Sequence, residues 1–177
     1  GTAMTSFTAQ NLGAGRYDRI KKGTLQSMIV MGVIVLCGVG LGMLLTVNDL
    51  YFHVFLSADK VTAETVRFGN ALLYVDFAMY PFLGGVFLIR NCVQGIGRPS
   101  FVLGAGAAEL VARIAVCLLL PVAVAGGMVS ASASPLAFYA LCAADPMAWI
   151  AADAVLCVPL IRNIMRMDYR YLRSGQA

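Results

Sequence analysis

Charge is what this sequence has least of. Only 12% of its 177 residues are Asp, Glu, Lys or Arg, 60% are hydrophobic, and the mean hydropathy is +0.81. A soluble domain carries about 25% charged and about 45–50% apolar residues. The apolar excess is more than one water-solvated core can hide, so lipid must solvate much of the surface. Histidine is nearly absent too: the single His53 excludes a multi-histidine metal site. Its place in a polar loop fits a solvated or interfacial side chain better than a proton relay. The five cysteines (Cys37, Cys92, Cys117, Cys142, Cys157) form no CxxC pair. Disulfide and metal frameworks need clustered spacing, so these read as membrane-buried thiols. The net charge is +4, but no basic patch alternates with stacking aromatics, so no nucleic-acid partner is expected. Nucleophile elbows, HExxH pairs and P-loops are missing, and Gln94-Gly95-Ile96-Gly97 has too few glycines for a phosphate loop. The chain is therefore not expected to be an enzyme, and neither a metal nor a cofactor is expected.

Long apolar runs are abundant. GTAMTSFTAQNLGAGR opens in mid-pattern, without the charged region or cleavage site of a signal peptide, so the chain is expected to be a piece of a longer protein. Residues 1–12 read as the last turns of a helix stopped by glycine, followed by a loop with Arg16, Arg19, Lys21 and Lys22. No charge occurs from Gly23 to Val47, enough for a span of about 20 residues, and Gly38 and Gly42 offer a small-xxx-small pair for helix packing. A polar loop over 48–64 includes Tyr51, Phe52 and Phe55, which suit an interfacial aromatic belt. Arg67 borders the next span and can snorkel outward. Phe68–Ile89 carries Asp76 as its only charge, with Pro81 predicting a kink. A basic turn with Arg90, Gly95, Gly97, Arg98 and Pro99 leads into the next span. Residues 126–144 read as a loop with a short interfacial or re-entrant piece. Asp145 is then a good N-cap, with Pro146 at the first helical position. Pro159 can kink the lower end of this helix. The expected architecture is all-α, a polytopic membrane bundle with spans at about 1–12 (partial), 24–47, 68–89, 100–125 and 146–165.

Lysine and arginine favour the cytoplasmic side of a membrane. The first loop, the Arg90–Pro99 turn and the tail (Arg162, Arg166, Arg170, Arg173) carry the basic residues, and the intervening loops hold only Lys60, with Arg67 at the border. The basic loops and the tail are thus expected inside, and four spans alternate without conflict.

Four charges fall deep in the spans: Asp76, Glu109, Arg113 and Asp153. Each costs about 2.5–3.5 kcal/mol at the bilayer centre by insertion scales. Glu109 and Arg113 are four apart and share a helix face, so they read either as a structural pair facing the bundle interior or as part of ion or substrate coupling. Asp76 has no charged neighbour within a turn. It is either a carboxylic acid bonded to Tyr80 or Asn70, or a carboxylate kept protonated by burial, as a proton-coupled carrier needs. Asp153, roughly 10 Å along its helix, is either structural or faces a water-filled vestibule.

Several motifs bear a family likeness. Thr8–Gly15 (TAQNLGAG, with Gln10, Gly13 and Gly15) resembles the close of the second helix in each half of the multidrug and toxic compound extrusion (MATE) transporters. Arg90–Gly97 (RNCVQGIG, with Asn91, Gln94, Gly95 and Gly97) resembles the turn after the fourth helix of the second half. Glu109–Arg113 (ELVAR) is similar to part of the next helix, and Pro146–Trp149 (PMAW) to the opening of the last. The resemblance implies the end of the second six-helix lobe, with the N-terminal lobe of the same polypeptide as partner. It also implies exchange of small cationic or amphipathic drug-like substrates for protons or sodium, in a bacterial plasma membrane. Asp76 would lie in the helix where some relatives place a cation-binding carboxylate, about two turns from the usual position. A lipid-linked oligosaccharide or polysaccharide flippase of the same superfamily, or a non-transporting membrane scaffold, are the other readings. The scaffold reading requires that Asp76, Glu109 and Arg113 all find partners and line no cavity.

Overall fold

The computed structural model describes residues 2–127 and 134–166. Arg170, Arg173 and residues 128–133 of the expected 126–144 loop lie outside the described residues. Regular structure among the described residues is entirely helical. The order is α1 (Thr2–Gly13), α2 (Tyr17–Thr46), α3 (Leu50–Phe55), α4 (Ala63–Gly95), α5 (Pro99–Ala125), α6 (Pro135–Leu141) and α7 (Ala144–Pro159), which continues as π-helix over Leu160–Met165. Four segments are long and apolar enough to cross a membrane: Tyr17–Thr46, Ala63–Gly95, Pro99–Ala125 and Pro135–Met165. The all-α membrane bundle is as expected.

The helices run further than their apolar stretches. α2 begins at Tyr17, so Arg19, Lys21 and Lys22 are on its first turns and not in a loop. Their long stems can cover apolar surface while the charged heads stay in water. α4 continues through Arg90, Asn91 and Gln94 to Gly95, and the true turn is only Ile96–Arg98. Arg90 and Asn91 are tolerated there because they are bonded to other helices, and Gln94 because it is exposed. The expected loop and re-entrant piece before the last span contains α6, whose Ala137 and Ala140 are buried. α7 starts at Ala144, one residue before Asp145, so Asp145 is not the N-cap and Pro146 is not the first helical residue. Pro146 is still accommodated, since the first four amide positions of a helix have no intrahelical acceptor. At Pro159, which cannot donate to the preceding turn, the α-helix gives way to the π-helix.

Two chain reversals share one geometry. In the first, Arg16 N–H donates to Asn11 O and Gly15 N–H to Leu12 O, with Gly15 at φ +66°. In the second, Arg98 N–H donates to Val93 O and Gly97 N–H to Gln94 O, with Gly97 at φ +75°. Both are Schellman caps, in which a left-handed residue lets two orphan carbonyls be satisfied, and glycine takes that conformation without a Cβ penalty. The GAG and GIG triplets are therefore helix stops.

Packing sorts the helices into inner and outer ones. α7 lies mainly against α5 and then α4, while α1 and α2 both pack on α4. The core cluster includes Ile20 of α2, Leu88, Ile89 and Val93 of α4, Ala105 of α5, Trp149, Ala152 and Leu156 of α7, and Ile164. Ile20, Ile96 and Ile164 belong to one cluster, and the π-helix touches both α2 and α4. This brings Arg162 and Arg166 to the end of the bundle that holds the first basic region and the Arg98 turn. α2 keeps Ile29, Leu36 and Leu44 outward, and α5 keeps Leu103 and Leu119 outward, apolar surfaces suited to lipid. Gly95 sits where α1 crosses α4, and a Cβ there would come within 2.6 Å of the Thr5 carbonyl oxygen. The small-xxx-small expectation fails in part: Gly38 meets nothing, while Gly42 receives the Phe77 ring. Phe52 is likewise no belt residue, since its ring is buried on Gly69, whereas Phe55 is exposed. Arg67 is exposed, and its Nε donates to the Tyr139 hydroxyl at 3.0 Å.

Candidate functional site

The deep charges converge where α4, α5 and α7 meet. On α5, Glu109 and Arg113 lie on the side opposite Val111, Ile114, Leu118 and Val122, at 3.6 residues per turn. The apolar four are on the outward surface or beside it, Val111 at 65% exposure and Leu118 at 52%. Glu109 uses both oxygens: Arg90 Nη2 donates to Oε2 at 3.1 Å, and Arg113 Nη2 donates to Oε1 at 3.4 Å. Arg113 Nη2 also meets Asp145 Oδ1 at 2.8 Å. The result is an alternating ladder, Arg90–Glu109–Arg113–Asp145, that ties the three helices together.

Two further carboxylates flank the ladder. Asp153 lies within electrostatic reach of Arg90, and Asp76 within reach of Asp145. Asp153 lies close against the α4 backbone at Gly85, where an added Cβ would be 3.0 Å from Oδ2. Tyr80 packs edge-on to Trp149 and Phe77, with ring centroids 6.1 and 5.5 Å away. Among the described residues, Asp76 Oδ1, Asp153 Oδ1 and Asn70 Oδ1 are buried without a hydrogen-bond partner. The expected alternative of an Asp76 carboxyl bonded to Tyr80 or Asn70 is not formed. Among the described residues of this cluster, two arginines face four acids (Glu109, Asp145, Asp76, Asp153), a surplus of two acids. No three His, Cys, Asp or Glu side chains gather into a metal-binding group among the described residues.

The motif residues divide by role. Arg90 is part of the ladder. Asn91 Oδ1 and its carbonyl oxygen accept from Thr5 Oγ1 at 3.0 and 3.2 Å, which fastens α4 to α1. Gly95 permits that crossing, while Gly15 and Gly97 are the helix stops. Gly13 meets no neighbour within 4 Å, and Gln10 and Gln94 are exposed.

Reasoning from the sequence places Arg90 among the motif and turn residues and Asp145 at a helix cap, and neither in a charge ladder. A charge count held the one available signal: Arg113 alone could not balance the deep acids.

The sequence has a match among known families. The MatE family model matches residues 1–119, from α1 into α5. The chain belongs to the MatE family. MatE proteins are membrane transporters, and this chain is an integral membrane protein of that kind. Neither the curated proteins nor the solved structures contain a match to it. The MatE match includes Asp76, Arg90, Glu109 and Arg113. Asp145, Asp153 and the Pro146–Trp149 likeness lie beyond it.

Proposed function

We propose that the chain is part of the second lobe of a proton- or sodium-coupled antiporter that exports small cationic or amphipathic compounds, with Asp76 as the coupling carboxylate. The buried, unpartnered Asp76 Oδ1 carries this reading. A buried polar atom without a partner costs about 1–3 kcal/mol. Binding a proton or cation offsets that cost and release restores it, so occupancy can bias the lobe between two states, which is what a coupled transporter requires. The ladder supports the same reading. Glu109, Arg90, Arg113 and Asp145 are 23–45% accessible at the side chain. Charges so open do not face lipid at acceptable cost, so that side suits a watery pathway or the partner lobe.

The two surplus acids favour cationic over anionic cargo, which counts against an exporter of anionic lipid-linked sugars. The scaffold reading required Asp76 to find a partner, and it has no hydrogen bond among the described residues. On this reading the basic end and the tail face the cytoplasm, and transport needs the N-terminal lobe.

The test is Asp76→Asn in the full-length parent. Membrane insertion is expected to persist and coupled efflux to be lost; undiminished drug export by the variant would contradict the assignment.

A further inference from the structure

At the basic end of the bundle, well away from the ladder, a cavity of about 210 Å³ opens between the start of α5 and the π-helical end of α7. Arg98 and Phe101 form one wall, and Val158, Arg162, Asn163 and Arg166 the other. Among the described residues, three arginines line it and no acid does. Arg162 and Arg166 are exposed, roughly one π-turn apart, and enter no ion pair among the described residues. Guanidinium forks match the paired oxygens of a phosphate, and the Asn163 amide adds a further donor. The apolar side of the cavity runs outward. Val158 is 42% exposed and continues into Ile161 on α7's extension, while Leu103 stands outward one helical turn beyond the start of α5. A basic pocket that opens directly onto lipid-facing surface suits a headgroup with its chains attached better than a free anion. Basic pockets between membrane helices are a recurrent headgroup site.

We propose that this cavity binds the phosphodiester headgroup of an anionic phospholipid. Arg162 and Arg166 hold the phosphate, and the acyl chains lie along Phe101 and Val158. The proposal is independent of the transported compound and of the coupling carboxylate. Inorganic phosphate shares the headgroup's chemistry, so the test separates the two.

The full chain is released from mixed micelles of phosphatidylglycerol and phosphatidylcholine, and retained lipids are counted by native mass spectrometry. Phosphatidylglycerol is expected to be retained preferentially and not to be displaced by inorganic phosphate. The R162Q/R166Q variant should weaken retention by about fivefold per arginine removed. The R16Q/R19Q variant, with the same charge change elsewhere on the basic end, should leave it unchanged. Unchanged retention in R162Q/R166Q, an equal loss in R16Q/R19Q, or displacement by inorganic phosphate each overturns the proposal. If R162Q/R166Q loses its helical circular dichroism, R162K/R166K is measured instead. It keeps the charge without the fork, so partial loss is expected and full retention overturns the assignment.

Discussion

Arg113 Nη2 stands 2.8 Å from Asp145 Oδ1, which joins the middle of α5 to the first turn of α7. The same guanidinium also meets Glu109 on its own helix, so one side chain holds two acids together. Removing it leaves both acids facing each other with only Arg90 to compensate. Arg113→Ala should lower stability in detergent by about 1 kcal/mol, since the pair is partly solvated and sits between the exposed and buried extremes. A double-mutant cycle with Asp145→Ala should give a favourable coupling energy. Additive losses in thermal unfolding would show the contact to be incidental.

The α1–α4 crossing depends on Gly95. A Cβ at this position meets the backbone of Thr5 and not the tip of a flexible side chain, so the helices themselves must separate. Gly95→Ala should destabilise the fold by about 1–3 kcal/mol, the usual range for overpacking. Gly38→Ala, at a glycine with nothing within 4 Å, should be neutral or slightly stabilising. Thermal melts of the two variants check the contrast.

Gly97 is needed for a different reason. Its surroundings are open, but its φ of +75° is a left-handed conformation. Gly97→Ala should cost about 1–2 kcal/mol, and Gly97→Asn distinctly less, because asparagine visits this region more readily. Equal losses for the two would place the effect in packing and not in the backbone.

Much of this fold was legible in the sequence, and what was hidden has a common cause. Apolar length located the four crossing segments, and the GAG and GIG triplets located two helix stops. Hydropathy marks where a chain meets lipid, whereas a helix continues as long as its polar side chains are satisfied. Arg90 and Asn91 are bonded to Glu109 and Thr5, from other helices, so α4 outruns its apolar stretch. Glu109 and Arg113 could be paired in advance because both sit on one helix at a spacing of four. Their links to Arg90 and Asp145 span nineteen and thirty-two positions, and only tertiary packing creates them. That Asp76 Oδ1 lacks a hydrogen-bond partner was equally out of reach, because candidate partners such as Tyr80 and Asn70 stood close by in the chain.

The most direct test concerns coupling and not export alone. The full-length parent and its Asp76→Asn variant are reconstituted in vesicles loaded with a fluorescent cationic dye, and dye movement is followed while an inward proton or sodium gradient is imposed and collapsed. The parent should move dye faster under one of these gradients and slow when it collapses, whereas Asp76→Asn should move dye at a rate indifferent to either gradient. Gradient-dependent transport of equal size in both proteins would contradict the assignment of Asp76 as the coupling carboxylate.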